Sequence, residues 1–238
     1  ARGDAPASNP ADRADFPVVV IGAGQSGLLA AIRLKQAGIP FTVIEKNPGV
    51  GGTWWENSYP GARVDVGNHF YCYSFEPSDH WTEFFARQPE LQAYFSDVAV
   101  RHGLLEHIRF DTAVTGAVWN DADSTWAVTV ENSGGEPDTL RARAVICAVG
   151  QLNQPFVPDI PGAQSFSGPA FHTARWDHDV DISGTNVAMI GAGATGFQVA
   201  PAIAATVDRL TIFQRTAQWM FPNPDYHKAV GPGMRWAL

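Results

Sequence analysis

The sequence predicts an α/β protein with two Rossmann-like dinucleotide-binding βαβ units, the second of them incomplete. Two turns with the spacing Gly-x-Gly-x-x-Gly occur at positions 22–27 and 191–196. Each turn follows a short run rich in β-branched residues, typical of a buried parallel strand, and precedes a segment of helical composition. A Pro-rich stretch separates the two units, which indicates two nucleotide sites in one chain.

The first unit is predicted as a strand at 16–21, a helix over 28–37 and a second strand at 41–45. Glu45 ends that strand, 18 residues beyond Gly27. A carboxylate there accepts hydrogen bonds from ribose hydroxyls and would repel a 2′-phosphate. The first site is therefore expected to take FAD or NAD but not NADP. A glycine-rich turn can also occur without a ligand, but the strand, helix and acid together favour a nucleotide.

The second unit is predicted as a strand at 186–190, a helix to about 205 and a strand at 210–213. Counted from the third glycine, the position of Glu45 is taken by neutral Gln214, and Arg215 and Thr216 follow. A site without the acid but with a guanidinium and a hydroxyl suits the 2′-phosphate of NADP. The alternative is that Arg215 is a solvated surface residue at a strand end.

Between the units, a helix at 90–102 and strands at 112–120, 125–131 and 144–149 are predicted. Four residues, Pro155, Pro158, Pro161 and Gly162, mark the linker. The domain prediction is a flexible tail at 1–15, an FAD-binding portion at 16–154, a linker at 155–182, the first part of an NADP-binding domain at 183–222, and the start of a further, truncated segment at 223–238.

Composition excludes several functional classes. The chain has 238 residues and a formal charge of −8, which argues against nucleic acid or an anionic membrane as the main partner. No apolar run reaches the roughly 18 residues of a membrane span. The two cysteines, Cys72 and Cys147, stand in apolar contexts and are predicted to be buried free thiols in a reducing compartment. No metal site is predicted, and the expected location is cytoplasmic.

Two longer segments are more specific than the turns. Residues 51–65 read GGTWWENSYPGARVD and residues 166–177 read FSGPAFHTARWD. They fit the patterns (A/G)GxWxxxx(F/Y)P(G/M)xxxD and FxGxxxHxxxW(P/D) without a mismatch. With both turns, the chain from about Phe16 onward resembles the N-terminal part of the type I Baeyer–Villiger monooxygenases, which are class B flavoprotein monooxygenases.

This resemblance implies an NADPH- and O2-dependent enzyme that converts small ketones to esters or lactones through a C4a-peroxyflavin. FAD would occupy the first site and NADPH the second. One alternative is a flavin monooxygenase that oxygenates nitrogen or sulfur, although the ending Trp176-Asp177 speaks against it. The other is a non-catalytic cofactor-binding fragment that needs a companion polypeptide to supply the C-terminal half.

The turns and the resemblance together imply a set of site residues. For FAD these are Gly22, Gly24, Ser26, Gly27, Glu45, Lys46, Gly52, Thr53, Trp54, Asp65, Tyr71 and, through its backbone, Val114. For NADP they are Arg63, Asp65, Gly191, Gly193, Thr195, Gly196, Arg215 and Thr216. Asp65 aligns with the carboxylate that holds the family's catalytic arginine, and His172 is expected to orient the linker. That arginine comes well after the second βαβ unit in the family, so it is expected outside this chain.

Overall fold

The computed structural model describes residues 16–132, 134–135, 137–152 and 154–237. They form two compact units, the first with described residues of 16–55 and 95–152, the second with those of 56–94 and 154–237. The predicted tail at 1–15 lies outside the described residues. Residues 56–94 belong to the second unit, whereas the sequence analysis counts them with 16–154, and the domain limits stay predictions.

The elements follow the predicted order. Strands are β1 (Val18–Ile21), β2 (Phe41–Ile44), β3 (Ile108–Arg109), β4 (Thr112–Asn120), β5 (Thr125–Asn132), β6 (Asp138–Ala142), β7 (Ala144–Cys147), β8 (Asn186–Ile190) and β9 (Arg209–Phe213). Helices are α1 (Gln25–Gln36), α2 (Thr53–Glu56), α3 (Gln88–Arg101), α4 (Ala194–Ile203) and α5 (Pro232–Ala237), with single 3-10 turns at Leu105–His107, Ala163–Ser165 and Thr173–Arg175.

The first unit is built on a parallel sheet in the order β3-β2-β1-β7. β1 is central, and Val18, Val19 and Val20 are all less than 5% exposed, as expected for a strand covered on both faces. Helix α1 turns Leu28 and Ile32 toward the core, where both are almost completely buried. The crossover from β1 through α1 to parallel β2 is the predicted βαβ unit.

An antiparallel sheet, β4-β5-β6, packs against this parallel sheet. Val128 and Val130 of β5 form one buried cluster with Val19 of β1 and Ile44 of β2. The sequence predicted β4 and β5 closely because both alternate apolar and polar residues. It assigned no strand to β6, whose composition is mostly polar.

The second unit holds the second βαβ unit, in which β8 and β9 pair in parallel. Helix α4 buries Val199 and Ile203 in a core with Val207, and Tyr59 and Trp176 pack against that cluster. Among the described residues this sheet has two strands. The predicted fold class, two βαβ units with the second incomplete, is confirmed.

One prediction about the cysteines is wrong. Both thiols are free, but Cys147 is exposed and Cys72 is half-buried. Cys147 ends β7, which lies at one end of the described parallel sheet, so it has a neighbouring strand on one side. Partial burial raises the pKa of Cys72, against a smaller opposing effect of a hydrogen bond from the Ser78 backbone.

The described residues lack two features. In this part of the chain, no group of three or more His, Cys, Asp or Glu side chains is placed to hold a metal ion. Within the same residues, no helix combines the length and the apolar character needed to cross a membrane.

Lys35 joins two helices of the first unit. Its Nζ donates to the carbonyl oxygens of His102 at 3.0 Å and Gly103 at 2.6 Å, at the C-terminus of α3. Both carbonyls lie in the turn directly after Arg101, where the negative end of the helix dipole favours a cation, so the ammonium stabilises the helix end. We expect Lys35→Met to lower the free energy of unfolding by about 1 kcal/mol, measured by urea denaturation.

The matched control is Arg141→Met, which removes an exposed ion pair with Asp123 in the same unit. Exposed pairs contribute little, so no measurable change is expected. Equal stability of the Lys35 variant and the unchanged protein would contradict the capping role.

Candidate dinucleotide-binding sites

The first glycine turn leaves β1 in a conformation that requires glycine. Gly22 has φ +101°, and its N–H donates to the Ile44 carbonyl of β2 at 2.8 Å. A methyl group at Gly22 would lie 2.6 Å from the Ala148 carbonyl oxygen, and one at Gly27 would lie 1.8 Å from the Gly22 oxygen. Strand and helix can approach this closely only without side chains at both positions.

The start of α1 is arranged to receive an anion. Gly24 is its N-cap in an extended conformation, no side chain caps the helix, and the first turn has no acidic residue. Helix N-termini with such exposed N–H groups attract phosphate. The second glycine loop packs on this turn, since Gly51 N–H donates to the Ala23 carbonyl at 3.0 Å and a methyl group on Gly52 would lie 2.9 Å from Gly24 Cα.

Glu45 stands beside the same turn and is only 4% exposed. Its Oε2 accepts from the Ala23 N–H at 2.6 Å, and its Oε1 accepts from the backbone and side-chain nitrogens of Asn47 at 2.9 and 2.8 Å. These three donors fix the carboxylate at the end of β2. A carboxylate has about four lone-pair sites, so acceptor capacity remains for a hydroxyl.

The second turn repeats the geometry of the first. Gly191 has φ +105°, and its N–H donates to the Phe213 carbonyl of β9 at 2.9 Å. Gly193 caps α4 at φ −77° and ψ −169°, against −78° and −171° for Gly24. A methyl group on Gly196 would lie 3.1 Å from the Gly191 oxygen. The two turns thus share their backbone angles, although the third glycine lies less close to the first in the second turn.

The residue after the second strand distinguishes the two sites. Ile190 pairs with Phe213 as Ile21 pairs with Ile44, so the register places Gln214 where the first site has Glu45. Arg215 and Thr216 follow and are both exposed at this edge of the β8–β9 pair. The strand register therefore aligns Gln214 with Glu45, as does the number of residues counted from the third glycine of each turn.

The remaining FAD residues of the first unit lie near the turn or on the strand beside it. Trp54 is buried on α2, while Ser26, Lys46 and Thr53 are exposed. Val114 lies on β4, two residues after Thr112, whose N–H donates to the Glu45 carbonyl at 2.9 Å.

The second unit holds Arg63, Asp65 and Tyr71. Arg63 is 7% exposed, and its Nη1 donates to Glu83 Oε2 at 2.9 Å and to the Tyr226 carbonyl at 2.7 Å. The guanidinium also lies over the Tyr226 ring, 5.1 Å from its centroid. Asp65 is exposed and Tyr71 is half-buried. Arg63 as a direct NADP ligand stays a prediction, and in this structure its charge is paired with Glu83.

Gln198, which the sequence did not single out, connects this segment to α4. Its Oε1 accepts from the Tyr59 hydroxyl, its Nε2 donates to the Tyr226 hydroxyl, and both distances are 2.9 Å. Its carboxamide also pairs with the backbone of Arg63, accepting from N–H at 3.4 Å and donating to C=O at 2.9 Å. A glutamine on a helix gives no sequence signal of this role because its partners are more than 25 residues away.

The two tyrosines of this network keep their protons. Burial raises the pKa of Tyr59, against an opposing hydrogen bond from Thr195, and the charge of Asp65 contributes a smaller rise. Burial also raises the pKa of Tyr226, opposed by Gln198 and then by Arg63. Both groups are therefore neutral hydroxyls at neutral pH, and the predicted NADP residue Thr195 is tied to Tyr59.

His172 caps a turn of the linker. Its Nδ1 accepts from the Ala174 N–H at 3.0 Å, at the start of the 3-10 turn Thr173–Arg175. The ring of Trp176, four residues later, lies edge-on to Phe171 at 5.1 Å. This geometry suits a residue that orients the linker, the role predicted for His172.

Two glycine turns of one geometry, each between a parallel strand and a helix, define the class of α/β proteins with paired Rossmann-like units. The chain belongs to the flavin-binding monooxygenase-like family, whose model matches residues 16–226.

Individual relatives agree with this assignment. A Baeyer–Villiger monooxygenase of Streptomyces coelicolor is 47% identical over 209 residues, which cover 87% of this chain and 39% of the relative. The cyclohexanone 1,2-monooxygenase of an Acinetobacter species is 39% identical over 213 residues, covering 87% of this chain and 38% of that protein. The resemblance drawn from the two motifs is confirmed, and the chain spans about two fifths of these relatives' length.

Solved structures of other monooxygenases are similar to this chain over nearly its whole length. OTEMO in complex with FAD and NADP has a TM-score of 0.86 and 36% identity, covering 94% of this chain and 43% of that one. An oxidized steroid monooxygenase bound to NADP has a TM-score of 0.84 and 39% identity, covering 93% and 42%.

Gly61 allows the segment 59–63 to pack on α4. It has φ +83°, and a methyl group there would lie 2.4 Å from the Gln198 carbonyl oxygen and 3.0 Å from Ala202 Cβ. We expect Gly61→Ala to lower the free energy of unfolding by about 3 kcal/mol or more, because backbone strain and overlap add.

Gly184→Ala is the control, since Gly184 has φ +63° in the same unit but open space around its Cα. This substitution should lower the free energy of unfolding by about 1 kcal/mol, from backbone strain alone. Urea unfolding of both variants measures the difference, and equal losses would show that the packing on α4 does not matter.

Proposed function

We propose that this chain is the FAD- and NADP-binding N-terminal part of an NADPH-dependent Baeyer–Villiger monooxygenase. The observation that carries the proposal is the pair of matching turns with different following residues, Glu45 at the first and Gln214-Arg215 at the second. One site repels a 2′-phosphate and the other attracts it. An enzyme that binds NADPH at one site and a different dinucleotide at the other requires this difference between its sites.

The first site fits FAD. The glycine turn, in which a Cβ at Gly22, Gly27 or Gly52 would overlap backbone atoms, places the uncapped start of α1 where a pyrophosphate can bind. Glu45 is oriented by three donors and can accept from a ribose hydroxyl. Thr53 and Trp54 follow Gly52 directly and are the residues proposed to lie against the isoalloxazine, with Asp65 and Tyr71 added by resemblance.

The second site fits NADP. The turn of Gly191, Gly193 and Gly196 has the same glycine spacing and nearly the same N-cap angles, again with no side-chain cap on its helix. Arg215 is exposed at the end of β9, where its guanidinium can pair with the 2′-phosphate in a bidentate manner. Thr216 can donate a further hydrogen bond.

Reduced FAD, when bound, supplies the oxygen chemistry, and the protein supplies orientation and electrostatics. The glycine turns and helix starts hold the pyrophosphates. The exposed carboxylate of Asp65 is proposed to hold the active-site arginine expected outside this chain. His172 holds the linker turn through Nδ1 and touches no reacting atom.

The activity is tested on the full-length protein with NADPH, isotope-labelled O2 and cyclohexanone as the probe ketone. We expect the lactone to contain one labelled oxygen, with the second oxygen leaving as water and NADPH becoming NADP. Sulfoxide formation from a thioether without any lactone would instead identify an N- or S-oxygenating enzyme. FAD binding without NADPH-driven O2 consumption would identify a non-catalytic protein. The mass of the intact protein tells whether a companion polypeptide is present.

Arg215→Ala should reduce the preference for NADPH over NADH. Loss of one charge-assisted pair to the 2′-phosphate corresponds to a decrease on the order of tenfold to a hundredfold in the ratio of kcat/KM values. The control is Arg209→Ala, which removes an exposed arginine at the opposite end of the same strand. An unchanged ratio in the Arg215 variant would favour the solvated surface arginine.

A further inference from the structure

A buried carboxylate links the segment 51–65 to the linker motif 166–177. Glu56 has a side chain that is only 6% exposed, and its Oε2 lies 3.3 Å from Arg175 Nη1. A carboxylate this buried requires charge or hydrogen-bond compensation. Arg175 contributes part of it from the 3-10 turn Thr173–Arg175, where its Nη1 also donates to the Ala174 carbonyl at 2.6 Å. Both residues belong to the second unit.

A hydrogen bond and a shared apolar cluster also connect residues next to Glu56 with residues next to Arg175. Ser58 Oγ lies 2.8 Å from His178 Nε2. Next to these residues in sequence, Tyr59 and Trp176 pack against the same buried cluster of Val199, Ile203 and Val207. An ion pair and a hydrogen bond therefore join the segment 56–59 to the segment 175–178, and both segments also pack on one buried cluster.

Glu56 is also the last residue of α2, the single helical turn that begins at Thr53. The start of that turn is anchored where the Gly51–Gly52 loop packs on the first glycine turn. Its end is anchored at Arg175. Thr53 and Trp54, the residues proposed to face the flavin, lie between these two anchors on one turn of backbone.

We propose that Arg175 is a positioning residue for the flavin reaction, acting through Glu56 on the orientation of α2. The proposal rests on the proposed function for what α2 faces, but the anchoring itself is a property of this chain's own residues. In this proposal, Arg175 acts only through Glu56 and touches no reacting atom itself. The linker thereby connects the two βαβ units in sequence and also influences α2 through the ion pair between Arg175 and Glu56.

The test uses the full-length FAD-loaded protein and the variants Arg175→Met and Arg175→Lys. Arg175→Met keeps most of the side chain's length but removes the charge, and should slow flavin reduction by NADPH on the order of tenfold, as expected for a small misplacement of groups near the reacting atoms. FAD content should stay near that of the unchanged protein, because the anchor at Gly24 and Gly52 is intact. Arg175→Lys should restore most of the rate.

Hydrogen–deuterium exchange gives a readout that does not need activity. Amides of residues 54–58 should exchange faster in Arg175→Met than in Arg175→Lys, while Arg141→Met, which breaks an exposed ion pair elsewhere, should leave both exchange and reduction unchanged. A flavin reduction rate and an exchange pattern equal to those of the unchanged protein would overturn the proposal.

The two proposals fail in different ways. If NADPH does not reduce the flavin of the unchanged protein, the proposed function fails, and the exchange of residues 54–58 still decides whether Arg175 anchors α2. If reduction is normal in the unchanged protein and in Arg175→Met, the positioning role fails and the proposed function stands. A loss of FAD in Arg175→Met with a normal reduction rate of the remaining holoenzyme would indicate a merely structural role and would also overturn the proposal.

Discussion

The close contact between Gly27 and the Gly22 carbonyl is the constraint on which the first unit depends. No side chain fits there, because a methyl group would lie 1.8 Å from that oxygen. The contact brings α1 against β1, which buries Leu28 and Ile32 and directs the start of the helix to the carboxyl ends of β1 and β2. Core packing and the position of the uncapped helix start therefore follow from the same pair of glycines.

The chain uses this turn twice with nearly equal backbone angles, and it differentiates the two sites by one residue after each second strand. The backbone N–H groups at the start of each helix can bind a pyrophosphate of either dinucleotide. Discrimination between dinucleotides must come from a side chain that reaches the ribose. Glu45 and Gln214 are the residues proposed for that position, and the carboxylate of Glu45 is fixed by the Ala23 N–H and Asn47.

The segment 56–94 packs on the second βαβ unit although it lies between parts of the first unit in sequence. Its contacts are polar and specific. Gln198 pairs with Arg63 and Tyr59, and Arg63 is compensated by Glu83. Asn68 is completely buried and pairs with the backbone at both ends of its amide. Buried polar groups with full sets of partners fix one arrangement more strictly than apolar packing alone.

The sequence by itself determined the two βαβ units, most strand and helix positions, and the alignment of Gln214 with Glu45. Each of these depends on local patterns, namely β-branched runs, fixed glycine spacing and helix-ending residues, whose physical causes act within a few residues. Only the tertiary structure decided the partners of Arg63, the connections of Gln198, the pairing of Glu56 with Arg175 and the exposure of Cys147. Those contacts join residues far apart in the chain, and neither spacing nor composition specifies which of several charged or polar groups will meet.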